Sequence, residues 1–246
     1  MDNNFPVELS VVMPCLNEEA TIAACIQKAW TALEKMGVTG EIIVADNGST
    51  DHSVAIAQSL GARVVHQFCR GYGAAYQAGI AAARGKSIVI GDSDDTYDFS
   101  EIDRFLQPLG KGYHFVIGSR FRGEIRPGAM PWLHRYIGNP FLTGMLNLLF
   151  KAGVSDAHCG MRAFTREAYD TMQLQTTGME FASEMVVKAA KTGLRIAEVP
   201  ITYYPRKGES KLHSFRDGWR HLRFMLGFRL SSESPRNPAQ ETFPGV

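Results

Sequence analysis

Asp92 and Asp94 are separated by a single serine and follow the apolar run Ser87 to Ile90, in the segment SIVIGDSDD. At the end of a buried strand, two carboxylates spaced this way both turn toward one rim. They make a hard-oxygen site for Mg²⁺ or Mn²⁺ that keeps positions open for diphosphate oxygens. An acidic turn, with Asp95 and Asp98 as solvated company, is the plainer alternative. Position decides between the two, because other polar clusters also close apolar runs.

Asp46-Asn47-Gly48-Ser49-Thr50-Asp51 follows the run Glu41 to Ala45. Its Asp and Asn side chains suit a nucleobase edge or a ribose. Gly48 permits close backbone approach, and Ser49 or Thr50 can cap a following helix. A turn plus cap is the alternative. Gly71-Tyr72-Gly73-Ala74-Ala75-Tyr76 fails as a dinucleotide fingerprint, because its third glycine position is Tyr76 and it lies well past the first strand. It reads instead as a helix start with small residues, able to face an anion. Arg206-Lys207-Gly208-Glu209-Ser210-Lys211 places cations around a glycine. Such a loop suits folding over phosphates and neutralising a leaving diphosphate, or simple solvation.

The elements that must position these groups alternate. Strands are expected at Val7 to Met13, Glu41 to Ala45, Ala62 to Val65 and Ser87 to Ile90. Helices are expected at Asn17 to Met36, Thr50 to Leu60 and Gly73 to Ala83. This order predicts an α/β fold, a mostly parallel central sheet with helices on both faces and ligands at the carboxyl ends of the strands. Pro14 to Glu18, Asp46 to Asp51 and Asp92 to Asp95 then converge on one rim. The second half is more mixed. Strands are expected at His114 to Ile117, Met161 to Phe164 and Ile196 to Tyr204, the last broken by Pro200. Helices are expected over 133–150, from Arg166, over Glu180 to Thr192 and over Phe215 to Leu230. One domain over 1–230 is expected, with a nucleotide-binding half near 7–120 and an acceptor half near 121–230. A disordered tail is expected over 231–246.

Of the 246 residues, 26 are Lys or Arg and 25 Asp or Glu, so the chain gives no global electrostatic reason to bind nucleic acid. A hydrophobic share of 45% excludes a disordered or collagenous chain. Four cysteines without metal spacing fit a reducing compartment. No signal peptide and no spanning apolar stretch is legible, so a cytoplasmic protein is expected, with room for association with the cytoplasmic face of a membrane.

Taken together, VVMPCLNEE, VADNGSTD, GYGAAYQAG, GDSDDTYD, GSRF, DAHCGMRAF, GMEFASE and EVPITYYPRKGESKL resemble family 2 glycosyltransferases of the GT-A fold, in that family's order. The nearest branch resembles the polyprenyl-phosphate (dolichol-phosphate) hexosyltransferases, over roughly residues 8–226. The resemblance implies a nucleoside contact at Pro14, Leu16 and Glu18. Asp46 would read the base with Asn47 beside it, where many members carry a second Asp. That departure leaves UDP- and GDP-sugars both open. Asp92, Ser93 and Asp94 would hold the donor through Mg²⁺ or Mn²⁺. Arg120 would face a phosphate, and Arg206, Ser210 and Lys211 would contact the diphosphate. Asp156, with Glu180 or Glu184, would line the sugar and acceptor pocket.

The implied reaction is a single inverting displacement at the anomeric carbon. A lipid-phosphate acceptor is already anionic. A hydroxyl acceptor needs a base, for which Asp156 is the first candidate and Glu184 the second, unless each is a cap or an ion-pair partner. Two segments bear on the acceptor. Ile137 to Phe150 has no charge over 14 residues and suits an interfacial segment or a core helix. Phe215 to Leu230 is basic and amphipathic, suited to anionic lipid or to packing on the sheet. A polyprenyl phosphate acceptor is therefore expected, with a soluble acceptor as the alternative. An inactive sugar-nucleotide binder and a nucleotidyltransferase rank lower. The first would not need the intact diphosphate residues, and Cys15 to Glu19 is not the glycine-rich basic loop of the second.

Overall fold

The computed structural model describes residues 7–207 and 214–231. Strands β1 (Leu9–Cys15), β2 (Gly40–Asp46), β3 (Arg63–His66) and β4 (Ser87–Ile90) alternate with helices α1 (Ile22–Met36), α2 (Ser53–Ser59) and α3 (Tyr72–Ala82). Helix α4 (Ile102–Gly110), β5 (Phe115–Ile125), α5 (Asn139–Phe150), β6 (Arg162–Thr165), α6 (Arg166–Met172), α7 (Phe181–Lys191), β7 (Ile196–Tyr203) and α8 (Ser214–Leu230) follow. The seven-stranded sheet runs β3-β2-β1-β4-β6-β5-β7. The first four strands are parallel neighbours, and β6 enters antiparallel between β4 and β5. The expected α/β architecture is therefore present.

Burial explains the strand choices. Val11, Val12, Met13, Ile42, Ile43, Val44, Ile88 and Val89 are all buried, the continuous apolar pattern of a sheet covered on both faces. Each such side chain contributes about 1.5–3 kcal/mol relative to exposure. Strand β1 runs on through Pro14 to Cys15, two residues past its expected end, because pairing with β4 stops at Val12–Ile90. A missing N–H beyond that pair costs no ladder bond. Strand β7 likewise runs unbroken through Pro200, where a break was expected. It is the edge strand, so the proline can face away from its one neighbour. Helix α1 starts at Ile22 rather than Asn17, because Asn17 adopts a left-handed φ of 54° in the preceding turn. Helix α4 was not expected at all. Its Ile102, Phe105, Leu106 and Leu109 recur at helical spacing, but the helix is short and Pro108 lies inside it. The expected tail lies, from 232 on, outside the described residues.

Candidate active site

The three carboxyl-end loops are tied together by hydrogen bonds across the strand ends. The Asn17 and Glu18 amides donate to Ser49 Oγ and Ser53 Oγ at 3.0 and 2.8 Å. Ser93 Oγ donates to the Pro14 carbonyl at 2.6 Å, and Thr21 Oγ1 to the Ser93 carbonyl at 2.8 Å. These loops form one wall of a cavity of about 1100 Å³. Of the residues singled out in the sequence, Pro14, Leu16, Glu18, Asn47, Asp92, Ser93, Asp94, Arg120 and Arg206 line it. Ser210 and Lys211 lie outside the described residues.

The two D-x-D carboxylates stand in different surroundings. Asp92 Oδ1 accepts from the Tyr72 and Tyr76 hydroxyls at 3.0 and 2.9 Å. Its Oδ2 lies against Gly160, where any Cβ would come within 2.7 Å of it. Burial holds its carboxyl above the usual carboxylate range, and the neighbouring Asp94 charge pushes the same way against the tyrosine hydrogen bonds. Asp94 Oδ1 accepts from Thr96 N and Oγ1 at 3.1 and 2.6 Å, while Oδ2 takes a 2.7 Å hydrogen bond from Arg206. The other end of the guanidinium reaches Glu18. Lys207 and Lys28 flank Asp95 at 2.8 and 2.7 Å, which brings the chain after β7 down onto the acidic loop.

The chemistry of this donor set fits Mg²⁺ or Mn²⁺. Two hard carboxylates face a cavity wide enough for a diphosphate. No cluster of three His, Cys, Asp or Glu side chains suited to a metal occurs among the described residues. A cation of this class is commonly held by one or two carboxylates and completed by phosphate oxygens and water.

Four expected roles look different once the contacts are seen. Asp156 is fully buried and bound bidentate by Arg120, Nε to Oδ2 at 2.7 Å and Nη2 to Oδ1 at 2.8 Å. The Arg120 amide adds a third bond to Oδ2 at 3.0 Å. Burial alone would ease the proton off Arg120, but the Asp156 charge holds its guanidinium well above the ordinary arginine value. The first-choice base is thus an ion-pair partner that fixes Arg120. Glu184, the second choice, is not at the cavity. Its carboxylate takes the Gln175 and Thr176 amides at 2.9 and 2.8 Å, Thr176 Oγ1 at 2.6 Å and Lys188 at 2.8 Å. It pins the chain ahead of α7. Asp46 is also off the cavity wall, with its oxygens on the Ser49 amide at 2.9 Å and His66 at 3.1 Å. Asn47 does line the cavity, yet its amide braces 67–71 through the Gln67 and Cys69 carbonyls and the Gly71 N–H.

The glycines of Gly71-Tyr72-Gly73 admit a neighbouring chain rather than an anion. A Cβ on either would lie within 2.4 Å of the Thr177 or Thr176 carbonyl, and the Ala74 N–H donates to Thr177 O. Sequence reasoning missed Arg70, Tyr72, His158 and His221 as cavity residues. Tyr72 and His158 carried a signal, their places in the glycine motif and in DAHCGMRAF.

Both amphipathic segments are half in and half out. On α5, Thr143, Leu146 and Phe150 are buried while Phe141 and Leu148 are exposed. On α8, Met225 and His221 are buried while Trp219 and Leu230 are exposed. The two helices pack through Phe150 and Phe228, whose rings lie 6.0 Å apart.

Parallel strands leading to a D-x-D rim, followed by an antiparallel insertion, define the GT-A glycosyltransferase fold. The chain belongs to glycosyl transferase family 2, whose model matches residues 10–172. It is 52% identical over 226 residues to the low-salt glycan biosynthesis hexosyltransferase Agl6 of Haloferax volcanii, covering 92% of this chain and 54% of that one. This chain therefore spans little more than half the length of that relative. It is 36% identical over 214 residues to a dolichyl-phosphate hexose transferase of the same organism, covering 86% and 89%. Among solved structures, glucosyl-3-phosphoglycerate synthase from Mycobacterium tuberculosis, in complex with Mn²⁺, UDP-glucose and phosphoglyceric acid, superposes with a TM-score of 0.73 at 26% identity. That match covers 91% of this chain and 79% of the other.

Proposed function

We propose that this chain moves a hexose from a UDP- or GDP-sugar to a polyprenyl phosphate in one inverting displacement. The observation that carries the acceptor assignment is the rim of the cavity. Met130, Pro131, Phe141, Leu142 and Trp219 line it, and beside them Trp132 and Trp219 are 66% and 64% exposed. Aromatic side chains with Arg135, Arg216 and Arg220 nearby suit the headgroup layer of an anionic bilayer. A lipid phosphate held there would reach the cavity without leaving the surface. No helix among the described residues is long and apolar enough to cross a membrane. The relative named as a dolichyl-phosphate hexose transferase supports the same reading.

In this reading Pro14, Leu16, Glu18 and Asn47 flank the nucleoside, with Asp46 shaping the turn beneath. Asp92 and Asp94 would hold Mg²⁺ or Mn²⁺, which supplies Lewis-acid stabilisation of the leaving diphosphate when bound. Arg206 then moves its charge from Asp94 toward that diphosphate, joined by Ser210 and Lys211. Arg120, fixed by Asp156, presents its charge to a phosphate at the cavity wall.

A water-soluble acceptor is the second reading, favoured by the likeness to the phosphoglycerate-glucosylating structure. Acceptor competition separates the two. Purified protein, Mg²⁺ and a panel of UDP- and GDP-hexoses would be offered polyprenyl phosphate in detergent and, separately, pooled soluble acceptors. Nucleoside diphosphate release that requires the lipid supports the proposal. Release only with the soluble pool replaces it with the second reading.

A further inference from the structure

Arg216 and Arg220 of α8 line the cavity, and neither has a part in the reaction set out above. They stand one helical turn apart, so they share a face of the helix. Both are exposed. Their nearest carboxylates are long contacts, from Arg216 Nε to Asp217 at 3.9 Å and from Arg220 Nε to Glu180 Oε2 at 3.6 Å. Both distances exceed a hydrogen bond. Glu180 Oε2 is itself buried with no hydrogen-bond partner among the described residues. Each guanidinium thus holds its planar fork of N–H donors open, the geometry that takes a phosphate through two parallel bonds.

The other cavity arginines are committed elsewhere. Asp156 holds Arg120, and Asp94 with Glu18 holds Arg206. Arg70 lies over the turn after β2, where a Cβ on Gly48 would stand 3.3 Å from its guanidinium carbon. Helix α8 places its pair next to apolar surface instead. It packs against α5, whose Phe141 and Leu142 line the same cavity, and Trp219 precedes Arg220. The placement is fixed from below. His221 of α8 is buried, its Nδ1 lies 2.8 Å from Ser183 Oγ on α7, and that hydroxyl lies 3.1 Å from His158 Nε2 in the loop before β6. Helix stability does not account for the pair. Arg216 sits in the first turn of α8, where its charge meets the positive end of the helix dipole. An anion bound there relieves that repulsion.

We infer that Arg216 and Arg220 form the subsite for the acceptor's phosphate, and that the acceptor is a phosphate monoester. This inference rests on the glycosyl-transfer reading above and deepens its acceptor side. An acceptor that is already ionised needs counter-charge and a fixed direction rather than a base. The counter-charge matters because Glu18, Asp92 and Asp94 share the cavity and repel an incoming anion. The two forks take the phosphate head, and Phe141, Leu142 and Trp219 take the organic part. A polyprenyl phosphate and a soluble phosphorylated acceptor present the same head, and the pair recognises what they share.

Calorimetry in detergent, with Mg²⁺ and UDP or GDP present, measures the binding of farnesyl phosphate, farnesol and 3-phosphoglycerate. Wild type is compared with Arg216→Gln, Arg220→Gln, the double Gln variant and the double Lys variant. Wild type is expected to bind a phosphate monoester. Preference for farnesyl phosphate supports the inference with a lipid source, and preference for 3-phosphoglycerate supports it with a soluble one. Each Gln substitution is expected to weaken that binding about tenfold or more, and the pair about 10²-fold or more. Affinity for UDP or GDP is expected to stay within about twofold, because both positions are exposed. Any farnesol binding is expected to be unchanged, which assigns the loss to the phosphate. The double Lys variant, which keeps charge without the fork, is expected to recover part of it. Phosphate affinity within about threefold of wild type in the double Gln variant overturns the inference. So does an equal loss for farnesol or for the nucleotide, which marks a structural role. Loss of flotation with anionic vesicles at unchanged phosphate affinity also overturns it, and gives the pair to lipid headgroups. Wild type that binds neither phosphate overturns it as well. Should the double variant fail to fold, unchanged affinity in both single variants decides against it. Wild type that binds neither UDP nor GDP is a different result, and defeats the glycosyl-transfer reading itself.

Discussion

Arg206 and Asp94 are joined by a 2.7 Å hydrogen bond across 112 residues of chain, in the cavity where two D-x-D carboxylates face the strand-end loops. The same guanidinium touches Glu18 from the first loop, so one side chain closes the acidic rim from above. When a divalent cation and a diphosphate enter, that positive charge has a new anion within reach. Arg206→Ala is therefore expected to lower kcat by about 10²–10³-fold, the usual effect of removing one stabiliser of transition-state charge. Steady-state kinetics at saturating donor and metal measure it, and a change below tenfold would separate Arg206 from the leaving group.

Asp94→Asn is expected to abolish turnover while leaving the fold intact. Asn keeps an oxygen for the Thr96 hydrogen bonds but loses the charge that draws both Arg206 and a cation. Circular dichroism and product formation with Mg²⁺ check the two halves of this expectation. Wild-type rates in the variant would reject the metal assignment.

Asp156→Ala is expected to act on stability. It removes both acceptor oxygens of a bidentate bond and strands the Arg120 guanidinium in a buried site. Breaking one side of such a pair costs about 3–5 kcal/mol. Urea denaturation should show that loss. A variant as stable as wild type that is nonetheless inactive would return Asp156 to the role of base.

Acid should weaken the fold before most carboxylates titrate. His221 binds its proton near pH 4 when folded, against about 6.5 in an unfolded chain. The folded value is depressed and the group is a base, so the unfolded chain takes up the proton first as pH falls. The stability this contributes is complete above about 6.5 and is lost progressively toward 4, on the order of 3 kcal/mol in total. His158 acts in the same direction. Urea midpoints at pH 7.5 and 5.0 should differ clearly in wild type and less in His221→Gln. Equal slopes would contradict the buried neutral pair.

Contact with lipid should depend on the exposed aromatics. A Trp132→Ala, Trp219→Ala double variant is expected to lose flotation with anionic vesicles while keeping its melting temperature, because both rings are largely in solvent. Unaltered flotation would place the lipid elsewhere.

The convergence of the strand-end loops on one cavity was legible because their residues are local. Each polar cluster directly follows an apolar run, and parallel strands carry all such ends to one edge. The contacts made by the second half of the chain were not. Asp156 reads as a free carboxylate until Arg120, 36 residues away, is brought against it by β5. Glu184 reads the same way until the chain at 175–176 folds back over it. His158, Ser183 and His221 share no spacing at all, since a loop and two helices supply one residue each. The prolines misled for a related reason. Pro14 and Pro200 end strands only where a neighbour needs their N–H, and the identity of the neighbour is a property of the sheet.

One reaction tests the account most directly. Purified protein would be incubated with Mg²⁺, the UDP- and GDP-hexose panel and polyprenyl phosphate, and the lipid fraction analysed by mass spectrometry and anomeric NMR. The account predicts a hexosyl polyprenyl phosphate of inverted anomeric configuration from one donor, absent in Asp94→Asn. A retained configuration, or the same product from Asp94→Asn, would contradict it.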